Sequence, residues 1–222
     1  MEKPATQSTP NLSAYILAGG KSSRMGRDKA LLELAGKPLI AHAVTKLRRI
    51  TPHVHILAGA EGANPALAPY APLIPDLHPG TGPIGGIEAA LAHSVCNWNL
   101  ILPVDIPFLP TAFLGHWVRS TIADEPRGAR IALFTIDGIP QPTLLMVHRD
   151  VAPYISQAIA RGDFKLFPAL ESAGRELAAR HGLPLEDVFR NPVCEANPLW
   201  FANLNTPEDF AEAEANTAAL DI

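Results

Sequence analysis

The run Ala14-Tyr15-Ile16-Leu17 is short, apolar and stopped by Gly19-Gly20. A run of that length reads as a buried strand, and the glycine pair after it as a turn. Leu39 to Arg49 then places Leu39, Ile40, Ala43, Val44 and Leu47 on one helix face, with Pro38 where a helix can begin. Val54 to Ala58 is a second short strand. Strand, loop, helix and strand form a unit of about 45 residues, as a parallel sheet requires.

The pattern repeats along the chain. Leu73-Ile74-Pro75 is a strand ending near Asp76, Gly85 to His93 a helix, and Trp98 to Leu102 a strand that delivers Asp105. The last is apolar at nearly every position, which suits burial on both faces. Phe113 to Ile122, Val151 to Ala160, Glu171 to Arg180 and Pro207 to Ala215 read as helices. Ala129 to Ile136 and Thr143 to His148 read as strands around a turn at Asp137-Gly138, and Leu199 to Leu204 as a last strand. The expected fold is α/β, a three-layer α/β/α Rossmann-like sandwich with a mainly parallel sheet. Residues 14–222 read as a single domain, preceded by a disordered tail from Met1 to Ser13. Arg161 to Pro198 is the least patterned stretch and is expected to cover one end of the sheet.

Composition removes several classes. Charged residues are 18% and the formal net charge is -4, so bulk electrostatics give no support for a nucleic-acid partner. No apolar run approaches the roughly 20 residues that span a bilayer. Cys96 and Cys194 stand apart and in no metal motif, and the start lacks the pattern of an export signal. The cytoplasm is the expected compartment. The eight histidines are scattered. His53 and His55 share a strand face, but a zinc site there is not expected.

Three segments carry candidate chemistry. The first runs from Leu17 through Ala18, Gly19, Gly20, Ser22, Ser23, Arg24 and Gly26 to Lys29. Paired glycines let backbone N–H groups approach phosphate oxygens, and Arg24 and Lys29 supply positive charge. On the residues alone, a solvated basic loop is an equal reading. The second is Gly80-Thr81-Gly82-Pro83-Ile84-Gly85-Gly86, glycine-rich at a helix start, where spare N–H groups favour anions. A connection without a ligand reads equally well. The third is Pro103-Val104-Asp105-Ile106-Pro107, which puts a carboxylate where open α/β sheets bind ligands. Such a carboxylate suits Mg2+, although an Asp can also cap a helix. Asp76 is a weaker candidate for the same pocket. Nine of the 22 prolines fall between residues 65 and 110, and they stiffen the loops around the proposed pocket.

Together these segments resemble the MobA-like nucleotidyltransferases. The resemblance rests on Leu17-Ala18-Gly19-Gly20 with Arg24-Met25-Gly26-x-Asp28-Lys29, on Gly80-x-Gly82-Pro83, on Pro103-x-Asp105-x-Pro107, and on Asn203-Leu204-Asn205-Thr206-Pro207-Glu208. It covers about Ala14 to Ala215. It implies transfer of GMP from GTP to the terminal phosphate of molybdenum-molybdopterin, with Mg2+ as cofactor. Leu17, Ala18, Gly19 and Gly20 would contact the nucleotide, while Arg24, Gly26 and Lys29 would hold its triphosphate. Asp76 would lie near the guanosine and Gly82 near the base or the second substrate. Asp105 would bind Mg2+, and Asn203 and Asn205 would hold the pterin. The implied catalytic residues are Lys29, Arg24 and Asp105. Transient contacts with other molybdenum cofactor biosynthesis or acceptor proteins would follow. The family's Asn at the end of the second strand has no counterpart here before Asn64. Rival readings are a cytidylyltransferase on the same pterin, a sugar- or alcohol-phosphate nucleotidyltransferase, and a nucleotide- or cofactor-binding protein without turnover.

Overall fold

A computed structural model describes residues 11–19, 28–59, 64–193 and 197–221. Seven strands form the central sheet: β1 Leu12–Leu17, β2 Val54–Leu57, β3 Leu73–Ile74, β4 Trp98–Pro103, β5 Ile131–Ala132, β6 Leu145–His148 and β7 Phe189–Arg190. Their order is β7-β5-β6-β4-β1-β2-β3. β1 pairs parallel with β2 and β4, and β2 with β3. β6 is antiparallel to β4 and β5, and β7 lies parallel to β5 at the edge. The sheet is therefore mainly parallel, as the repeated strand–helix units require.

The helices are α1 Leu39–Arg48, α2 Pro83–His93, α3 Thr111–Ala123, α4 Ala152–Ala160, α5 Leu166–His181, α6 Leu185–Val188 and α7 Pro207–Ala215. Strand alternation sorts the side chains into two cores. Leu12, Ala14 and Ile16 of β1 join Leu39, Ile40 and Leu47 of α1 and Leu114 of α3 on one face. Tyr15 of β1 and Leu57 of β2 join Ile84 and Ile87 of α2, Ile155 of α4 and Leu170 of α5 on the other. Each fully buried Leu or Ile is worth roughly 1.5–3 kcal/mol, so a register slip in β1 is heavily opposed.

Four expectations need correction. The tail does not reach Ser13: Leu12 and Ser13 are buried members of β1. Ala129 to Ile136 is not one strand. It divides into β5 and a separate hairpin, Thr135–Ile136 with Ile139–Pro140, that turns through Asp137 (φ 49°) and Gly138 (φ 77°). Leu199 to Leu204 is not a strand either. Pro198–Phe201 is a 3-10 turn, because the Asn197 side chain accepts from Leu199 N at 3.0 Å and Pro198 sits in the first turn. The described part of Arg161 to Pro198 covers a face rather than an end: α5 packs on the sheet and β7 extends its edge.

Candidate active site

The parallel strands β1 to β4 point the same way, so their C-terminal ends form one edge. Ligands of open α/β sheets bind at such an edge. Leu17, Ala18 and Gly19 leave β1 there, Gly59 follows β2, Asp76 follows β3 and Asp105 follows β4. Backbone bonds hold these ends together: Ala18 N to Leu57 O at 3.2 Å, Asp76 N to Gly59 O at 2.7 Å, and Val104 N to Leu17 O at 3.3 Å. Gly19 touches the end of β2. A Cβ on it would stand 3.2 Å from Gly59 N, a tight contact, so glycine suits the close approach of the two turns.

Asp28 caps the short 3-10 helix Lys29–Leu31 by accepting from Ala30 N at 2.9 Å. That cap fixes where Lys29 leaves the chain. Lys29 Nζ then donates to Asp105 Oδ2 at 2.7 Å and to Asn205 Oδ1 at 2.7 Å. The ion pair is sheltered, with side chains 16% and 21% exposed. Residues from three distant parts of the chain thus converge on one point. The other oxygen of Asp105, Oδ1, is buried and has no hydrogen-bond partner among the described residues. A buried carboxylate oxygen left open beside glycine turns fits a hard divalent cation. Among the described residues no group of three or more His, Cys, Asp or Glu side chains gathers as a metal cage. A hard cation held by Asp105 would take its remaining ligands from phosphate oxygens and water, as Mg2+ prefers.

Asn205 is placed by its neighbours. Leu204 is buried between exposed Asn203 and Asn205, and its N–H donates to Asp105 O at 3.0 Å. The N–H groups of Asn205 and Thr206 both donate to Asp209 Oδ2 at 2.7 Å, and Thr206 completes a capping box at the start of α7. Those two backbone donors hold the Asp209 carboxyl below its ordinary pKa. Asn203 does not join Lys29. Its side chain donates to Phe201 O at 3.3 Å.

The second glycine segment opens α2. Gly82 caps the helix at φ 75°, ψ -153°, a conformation open to little but glycine, and Pro83 follows in the first turn. Asp76 reaches this helix start, since a Cβ on Gly86 would lie 3.7 Å from its Oδ1 and 3.1 Å from Leu17 Cδ1. Burial pushes the Asp76 carboxyl up. Leu17, Asp76 and the α2 start are therefore neighbours, as the candidate nucleotide contacts require.

Gly20, Arg24 and Gly26 lie outside the described residues, as does Cys194. Two site-side residues escaped the sequence reading. Asn64 donates from Nδ2 to Asp28 Oδ2, which ties the stretch after β2 to the foot of the Lys29 loop. The Asn64-Pro65 pair, a turn signal, marked it. Glu88 is buried in α2, bonded to His78 Nδ1 at 2.7 Å and to Ser156 of α4 at 2.8 Å, and it supports the turn before Gly82. A lone carboxylate on an apolar helix face was its signal.

Comparison with known proteins agrees with this geometry. The MobA-like NTP transferase domain matches residues 14–179. A protein of Serratia proteamaculans named molybdenum cofactor guanylyltransferase is 32% identical over 204 residues, covering 89% of this chain and 91% of that one. A Vibrio cholerae protein of the same name is 32% identical over 215 residues, covering 93% and 96%. The crystal structure of molybdopterin-guanine dinucleotide biosynthesis protein A from Archaeoglobus fulgidus superposes with a TM-score of 0.73 at 25% identity, covering 94% of this chain and 100% of that one.

Proposed function

Because the chain belongs to the MobA-like NTP transferase family, we propose that it transfers GMP from GTP to molybdenum-molybdopterin. In this reading an oxygen of the pterin's terminal phosphate attacks the α-phosphorus of GTP. The bond to the β-phosphate oxygen breaks, pyrophosphate leaves, and the guanine dinucleotide form of the cofactor results. The attacking phosphate is already an anion, so no side-chain nucleophile is needed. The protein's work is alignment and charge compensation.

The observation that carries this reading is the meeting of Lys29, Asp105 and Asn205 at the strand ends. Leu17, Ala18, Gly19 and Gly20 line the nucleotide, with Asp76 toward the guanosine and Gly82 toward the base or the pterin. Lys29, with Arg24 and Gly26, holds the triphosphate and offsets charge on the departing pyrophosphate. Asp105 would hold Mg2+, which when bound neutralises phosphate oxygens. Asn205 presents its side-chain oxygen to Lys29, and with Asn203 it faces the pterin side.

Among the described residues no helix is long and apolar enough to cross a membrane. A cytoplasmic site of action, with transient hand-over to other molybdenum cofactor proteins, accords with the sparse cysteines. The test is turnover with GTP, CTP and ATP against molybdenum-loaded molybdopterin, read as pyrophosphate release. Release with GTP alone is expected. Release with CTP alone would replace guanylyl by cytidylyl transfer, and nucleotide binding without release would remove the enzyme reading.

A further inference from the structure

Lys46 lies on α1 in the middle of an apolar face, between Ala43, Val44 and Leu47, and is 3% exposed. A buried ammonium needs partners, and its Nζ donates to Pro107 O at 2.8 Å and also to Leu109 O. Both carbonyls belong to the loop that begins at Asp105. The side chains of Ile106, Phe108 and Leu109 are buried, so this loop is packed inward. Only a group with several donors can serve both, and an ammonium has three. Leu204 N holds the same loop from the other side through Asp105 O. The charge that bears on Lys46 is Asp221, which pairs with Arg49 at 3.2 Å and accepts from Thr111 N at 2.5 Å.

We propose that Lys46 is a positioning residue: its ammonium clamps the 105–109 loop and thereby fixes the Asp105 carboxylate for the divalent cation. This rests on reading Asp105 as the cation's ligand. Removing a group that orients a metal ligand typically weakens the metal site 10–100-fold.

The test uses the full chain with a non-hydrolysable GTP analogue and Mn2+ as the probe, read by electron paramagnetic resonance, alongside cation titrations of turnover. Lys46→Met should weaken Mn2+ binding about 10–100-fold and raise the half-saturating cation concentration equally. Turnover at saturating cation should stay near wild type. Lys46→Arg, which restores charge and several donors, should recover most of the loss. A folded Lys46→Met protein with wild-type Mn2+ binding would overturn the proposal. Asp105→Ala is the control: unchanged Mn2+ binding there would fault the ligand assignment instead. Should Lys46→Met fail to fold, hydrogen exchange in the wild type decides. The amides of Val104 and Leu109, which donate to Leu17 O and Ile106 O, should exchange no faster than those of α1. Loop exchange roughly a hundredfold faster would overturn the clamp.

Discussion

Among the described residues, Lys29 meets one charged and one neutral oxygen. In the proposed reaction a triphosphate at the glycine turn would compete for the same ammonium and leave the Asp105 carboxylate for a cation. On that reading each partner should matter more to turnover than to folding. Lys29→Ala and Asp105→Ala should each lower kcat/KM by about a thousandfold or more. Stability, followed by circular dichroism and thermal melting, should change by about 1 kcal/mol or less, as partly exposed ion pairs contribute little. Near-normal kcat/KM in either folded variant would remove its assigned role. Lys46 has a different signature. Burial lowers its pKa from 10.5 to about 8, against a smaller upward pull from Asp221. Below that value the folded chain keeps the proton at a cost of about 3 kcal/mol, taking 1.36 kcal/mol per unit. Between about 8 and 10.5 the unfolded chain binds more protons, so stability rises with pH across that window. The urea midpoint of wild type should rise relative to that of Lys46→Met as pH goes from about 8 to 10.5. Parallel curves would contradict the shifted lysine. No local pattern in the sequence marks Lys46, because the two carbonyls it donates to come from residues 61 and 63 positions away.

At the level of elements, the C-terminal helix acts through its first turn. The capping box of Thr206 and Asp209 starts α7 and also directs Asn205 toward Lys29. Thr206→Ala should cost about 1 kcal/mol, as lost helix caps do. It should also raise the KM for the pterin substrate more than it lowers kcat, as steady-state kinetics would show. Gly82→Ala at the start of α2 forces a side chain into φ 75°. It should destabilise by about 1 kcal/mol or more and weaken GTP binding by calorimetry. Most helices and sheet strands were readable from the chain because apolar period and glycine or proline punctuation agree. Leu199 to Leu204 was misread because an apolar run resembles a strand until Asn197 is seen capping a turn. The segments around Gly19, Asp76, Gly82 and Asp105 were readable as strand ends and helix starts. The junction between Lys29 and Asn205 was not, since no local pattern links residues 176 positions apart.

For the molecule as a whole, two cores press on one sheet, and the candidate site lies along its edge rather than inside either core. Ligands there should bridge loops without repacking the interior. Saturation with GTP and Mg2+ at a hundred times Kd adds about 2.7 kcal/mol, or roughly 5–10 °C in Tm for a chain of this size. Differential scanning fluorimetry should show this for GTP and far less for CTP. Equal shifts would argue against guanine selection. The docking of Leu204 on the Asp105 backbone has a further consequence in time. In the order of synthesis, the glycine turn, Lys29 and Asp105 all emerge early, and Asn205 comes late. A half-made chain would own a nucleotide loop without the residue that sets its lysine. On the proposed reading, competence is deferred until Asn205 has been translated, and a fragment broken off before that residue should scarcely turn over GTP.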